Sequence, residues 1–61
     1  MYVIRDKKSG TFAWNSGDRW SFTPTLEKAM KFHEEVTASS VAGFRFDRDE
    51  VEVVPLKDVK P

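Results

Sequence analysis

Along the stretch Trp20–Phe32 the spacing of hydrophobic side chains changes from alternate positions to a helical repeat. Trp20 and Phe22 lie two apart, as on one face of a strand, whereas Leu26, Ala29, Met30, Phe32, His33 and Val36 fall on one stripe at about 100° per residue. A strand therefore hands over to a helix here. Upstream the period is two. Tyr2 and Ile4 oppose Val3 and Arg5, and Phe12 and Trp14 share one buried face. Asp6–Gly10 and Asn15–Asp18, each with a glycine for the left-handed position, read as hairpin connections. Three short strands, Tyr2–Arg5, Thr11–Asn15 and Arg19–Phe22, thus form an antiparallel meander.

The helix is expected to start at Thr23, with Pro24 at its first position, or at Thr25, and to bury Leu26, Ala29 and Met30 against the sheet. Glu27 and Lys31 make an i,i+4 pair on its outer side. Helix propensity sags over Thr37–Val41, and Gly43 reads as the C′ residue with Phe44 folded back on it. Phe44–Phe46 then alternates as a strand does, Asp47–Asp49 is a turn, and Val51–Val54 is the strongest β-forming run, limited to an edge or ended by Pro55. The fold expected is α+β: a small antiparallel sheet of three to four strands, order β-β-β-α-β, with one helix packed on one face. Residues 1–56 make one domain and 57–61 a flexible tail.

A chain of 61 residues holds one domain. At this size folding buries only about 60% of the unfolded surface, so small domains lean on disulfides, metals, partners or dense packing. Cysteine is absent, which excludes disulfides, zinc-thiolate sites and thiol nucleophiles. The eight aromatic residues are the substitute, and they are numerous enough to leave apolar area over. Ten basic residues balance ten acidic ones, which is unlike a dedicated duplex-DNA binder or an acidic tail. The amino-terminal Met1–Ile4 is too short for a signal peptide, and no run approaches a bilayer-spanning length. The reading is a soluble, cytoplasmic protein with no membrane contact.

Catalytic chemistry finds little to stand on. His33 is the sole histidine, has no nucleophile in context, and reads as a packed or rim residue. Asp47, Asp49, Glu50 and Glu52 lack the glycine and terminal glutamate of a calcium loop and read as a solvated turn. Gly10, Gly17 and Gly43 are isolated, so no phosphate cradle exists. No enzyme activity, metal or cofactor is expected. Two binding surfaces remain. Phe44, Arg45, Phe46, Arg48 and Val54 combine an apolar excess with an edge strand and basic rim, as a protein-binding or self-associating surface has. Arg5, Lys7, Lys8, Trp14, Arg19 and Trp20 interleave bases and aromatics, as a single-strand nucleic-acid surface has. The plainer reading of the second set is that the tryptophans face the helix and the bases solubilise hairpins.

The order Tyr2-Val3-Ile4-Arg5, then Leu26-Glu27-Lys28-Ala29-Met30-Lys31-Phe32, then Val51-Glu52-Val53-Val54-Pro55-Leu56 resembles a widespread type of very small bacteriophage and prophage protein. These proteins read YVI-R, L-x-x-A-x-x-F, a short helix and a closing V-V-P-V strand. The likeness spans nearly the whole chain but rests on core positions, and the type has no assigned activity. It implies fold and origin. Phe44-Arg45-Phe46 departs from the pattern as an added apolar element. The function expected is a non-enzymatic interaction module that binds a host or viral protein, with a homodimer as a further expectation and single-stranded nucleic acid as the alternative ligand.

Overall fold

The computed structural model describes residues 1–59. The chain forms β1 (Tyr2–Asp6), β2 (Phe12–Ser16), β3 (Arg19–Thr23), α1 (Glu35–Arg45) and β4 (Val51–Pro55), with 3₁₀ turns at Leu26–Lys28 and Leu56–Asp58. The strands make one antiparallel sheet in the order β3-β2-β1-β4, so the β-β-β-α-β plan with four strands holds.

Central strand β1 is buried on both sides. Ile4 and Val3 are each 0% exposed, and alternation points them to opposite faces. Ile4 packs with Ala13, Phe32, Ala38, Ala42 and Val51 under α1. Val3 packs with Phe12, Ala29, Val54 and Val59, flanked by Leu26 and Leu56, so the two 3₁₀ segments cover the face that α1 does not. Lys57 and Asp58 therefore belong to a structured turn, and Val59 is core rather than the start of a loose tail. The Leu56 N–H pins this end by donating to the Met1 carbonyl at 2.7 Å. Of the expected tail, residues 60 and 61 lie outside the described residues.

The expected helix over the Leu26 stripe is corrected. After one 3₁₀ turn with Thr25 as its N-cap, the chain runs extended and enters the gap where β1 and β2 diverge. The Met30 N–H donates to the Ala13 carbonyl on β2 at 3.0 Å. Phe32 and Tyr2 exchange two backbone hydrogen bonds of 2.7 and 2.8 Å on β1. A helix needs those donors for itself, so the wedge excludes it. Met30 is exposed, and Lys31 turns its ammonium onto the carbonyls of Leu26, Glu27 and Ala29 at 3.0, 3.3 and 3.2 Å instead of pairing with the Glu27 carboxylate.

The helix forms later, in the weak-propensity stretch. Ala38, Val41 and Ala42 supply an i, i+3, i+4 face, and the two alanines let α1 sit close to the sheet. Glu35 in the first turn and Arg45 in the last suit the helix dipole. Gly43 lies inside α1 rather than at C′, and Phe44–Arg45 are its last residues rather than a strand. A Cβ at Gly43 would meet Arg48 Nε at 2.5 Å, because the Arg48 side chain lies across the helix there and donates weakly to the Ser39 carbonyl at 3.4 Å.

The two outer strands differ at their free edges. In β4 the ladder to β1 uses alternate residues, as the Lys7 N–H to Glu50 carbonyl bond of 2.9 Å and the Leu56 to Met1 bond show. The backbone N–H and C=O groups of Val51, Val53 and Pro55 therefore face the free edge. The Val51 N–H is taken by the Asp47 carbonyl at 3.2 Å and Pro55 has none, leaving Val53 as the open donor of that edge. In β3, Gly17 at φ +70° opens a type II′ turn that sets Ser16 opposite Arg19. Arg19, Ser21 and Thr23 bond to β2, and the backbone groups of Trp20 and Phe22 face outward.

Burial of Ile4 predicts that Ile4→Ala costs about 2–5 kcal/mol, comparable to the whole stability of a small domain. The wedge predicts that Met30→Ala costs less than about 1 kcal/mol, since its side chain is exposed. Thermal melts followed by circular dichroism measure both. A large loss at Met30 with a small one at Ile4 restores the helical assignment.

Candidate protein-interaction surface

The outward half of α1 carries apolar side chains that the sheet does not cover. Phe44 is 74% exposed and Val36 65% exposed. They lie eight residues apart, about 12 Å along the axis. The guanidinium of Arg45 sits 5.2 Å from the centre of the Phe44 ring, a cation–π contact that holds the ring in the open. Val36 belonged to the expected core stripe, and its exposure follows from starting the helical period at Glu35 instead of Leu26.

The five residues expected to bind a protein do not share one surface. Phe44 and Arg45 face solvent on α1, and Arg48 folds back over Gly43. Phe46 turns inward and stacks between two β3 side chains: edge-on to Trp20 at 5.6 Å and tilted against Phe22 at 5.3 Å. Val54 is buried on the opposite face of the sheet with Val3. The reason is parity. Phe44 and Phe46 share a face only if the backbone is extended, and the helix that runs to Arg45 rotates them apart.

The basic and aromatic residues of the alternative surface also separate. Trp20 lies on the helix face beside Phe46, while Trp14 stands opposite Ser21 on the other face, so the tryptophans do not both pack toward α1. Arg5 is held by Glu52 across the β1–β4 ladder, with Nε and a terminal nitrogen at 3.0 and 2.9 Å from Oε2. Both side chains are about a third exposed, so the pair contributes less than about 1 kcal/mol. Arg19 is exposed at the β2–β3 turn, away from Lys7 and Lys8 at the β1–β2 hairpin.

Lys7 and Lys8 line a shallow groove of about 440 Å³ with Asp6, Asp49 and Glu50, between that hairpin and the turn leading into β4. The acidic turn is organised by Asp47, whose Oδ1 accepts from the Asp49 N–H at 2.9 Å. Among the described residues no group of three or more His, Asp or Glu side chains converges as metal ligands do. His33 is exposed between the wedge and α1.

Asp6 shapes the hairpin. Its Oδ2 accepts from the Ser9 hydroxyl at 2.6 Å and from the Ser9 N–H at 2.8 Å, and its carbonyl accepts from Gly10, which sits at φ +75°. The Ser9 hydroxyl first, and then the Ser9 N–H, favour the ionised carboxylate and hold Asp6 below its ordinary value of 3.8. A lowered folded value means that this stabilisation is complete above the ordinary carboxylate value and is lost as the pH falls through the folded one. A carboxyl-detected NMR titration should place the Asp6 midpoint below 3.8, and Ser9→Ala should return it toward that value. A midpoint at or above 3.8 in the parent removes the Ser9 contacts as the cause.

No protein-family model matches this chain, and no curated protein or solved structure matches it.

Proposed function

We propose that this chain is a non-enzymatic protein-interaction module that uses the outer face of α1 to bind its partner. The observation that carries the reading is Phe44, a large apolar side chain left 74% exposed on a rigid helix, with Val36 on the same half and Arg45 beside it. Exposed aromatics with adjacent arginine are the residue types that anchor protein interfaces. The resemblance to small phage proteins makes a host or viral protein the partner class. Phe46 packs against β3 beneath the end of α1 and Val54 lies in the core on the opposite face of the sheet, so neither acts here as a contact.

The test compares the tagged parent with Phe44→Ser in capture from a bacterial host lysate. Phe44 makes little core contact, so its loss should change stability by less than about 0.5 kcal/mol, a shift in Tm of no more than about 4 °C. Specific partners should disappear from the variant. Retention of the same partners by a folded Phe44→Ser variant refutes the surface.

A further inference from the structure

We propose that β3 pairs antiparallel with the β3 of a second copy of this chain, joining two four-stranded sheets across a two-fold axis through Ser21. This surface is separate from the outer face of α1, so the two proposals stand or fall independently. Three observations carry it. First, the β3 edge is unblocked. Trp20 and Phe22 turn their N–H and C=O groups outward, and β3 contains neither proline nor an acidic residue. The β4 edge is largely blocked by contrast, since the Val51 donor is used by Asp47 and the Pro55 donor is missing, which leaves Val53 alone open.

Second, the strand is self-complementary. With Ser21 opposite Ser21 of the second copy, Trp20 falls opposite Phe22 and Phe22 opposite Trp20. Both are outward-facing residues, so each pair exchanges two backbone hydrogen bonds. Arg19 meets Thr23, so no like charges oppose each other in the register. Third, that register places aromatic against aromatic where apolar surface is exposed. Phe22 is 41% exposed although it touches Phe46. In the pair, Trp20, Phe22 and Phe46 of each copy form one continuous cluster on the helix side.

A five-residue strand with one aromatic cluster is a small contact, so weak pairing is expected, with a dissociation constant on the order of 10 µM to 1 mM. Sedimentation equilibrium of the intact chain up to about 1 mM should show a monomer–dimer equilibrium in that range. Phe22→Lys, which sets two ammonium groups beside the two-fold axis, should raise the constant at least tenfold while leaving the monomer folded.

A covalent readout is also available, because the chain has no cysteine of its own. Ser21 and its counterpart form a non-hydrogen-bonded pair with Cα atoms about 4.5 Å apart, inside the range a disulfide spans. Under mild oxidation Ser21→Cys should become a covalent dimer at least tenfold faster than the exposed control Lys57→Cys. A parent that stays monomeric at about 1 mM overturns the proposal. So does equal cross-linking of the two cysteine variants. A dimer abolished by Phe44→Ser and untouched by Phe22→Lys overturns it too, since it would place the contact on α1.

Discussion

The fold depends on a strand that must be covered from both sides. Val3 and Ile4 are adjacent in sequence, fully buried and opposed in direction, so β1 cannot lie at the surface of a two-layer domain. One helix covers one face. Two 3₁₀ turns and Val59 cover the other face. Each turn is then tied to β1 by main-chain hydrogen bonds: the Leu26–Lys28 side through Phe32 to Tyr2, and the Leu56–Asp58 side through Leu56 to Met1. The amino-terminal strand thereby organises nearly every other element.

The wedge at Met30–Phe32 is the second consequence. Strands β1 and β2 pair at Arg5–Phe12 and then separate, which strands backbone donors and acceptors in the interior of a sheet. The extended segment satisfies both sides at once, bonding Ala13 on one strand and Tyr2 on the other. It also delivers Phe32 to the helix-side core and Ala29 to the opposite one. Only after this crossing can the chain begin α1, and the helix that follows is short because little chain remains before β4.

A short helix held by alanines leaves larger apolar groups outside. Ala38 and Ala42 occupy the contact with the sheet, so Val36 and Phe44 project from the other half, while Phe46 is drawn under the helix end by Trp20 and Phe22. The same geometry supplies two separate apolar features: the solvent face of α1 and the rim of β3. They differ in kind. The first offers side chains on a rigid helix, and the second offers unpaired backbone beside exposed aromatic area. The basic–aromatic set does not form one surface, although Trp20 belongs to the β3 rim. Its tryptophans are divided between faces and Arg5 is paired with Glu52.

The sequence by itself determined β1 to β4 and their antiparallel pairing, because alternation and turn glycines act over four to six residues and need no distant partner. It also marked β4 as an edge through Pro55, and Thr25 as one of two starts for a helical turn. Only the tertiary structure decided where the long helix lies. The stripe from Leu26 to Val36 has the better helical pattern and propensity than Glu35–Arg45, yet the donors of Met30 and Phe32 are worth more to a sheet interior than to a helix. That displacement carried the site residues with it. It exposed Val36, turned Phe44 outward and Phe46 inward, and buried Val54 on the far side of the sheet. Local periodicity reports what a segment can form, whereas which side chains reach solvent was settled by backbone groups more than fifteen residues away in the chain.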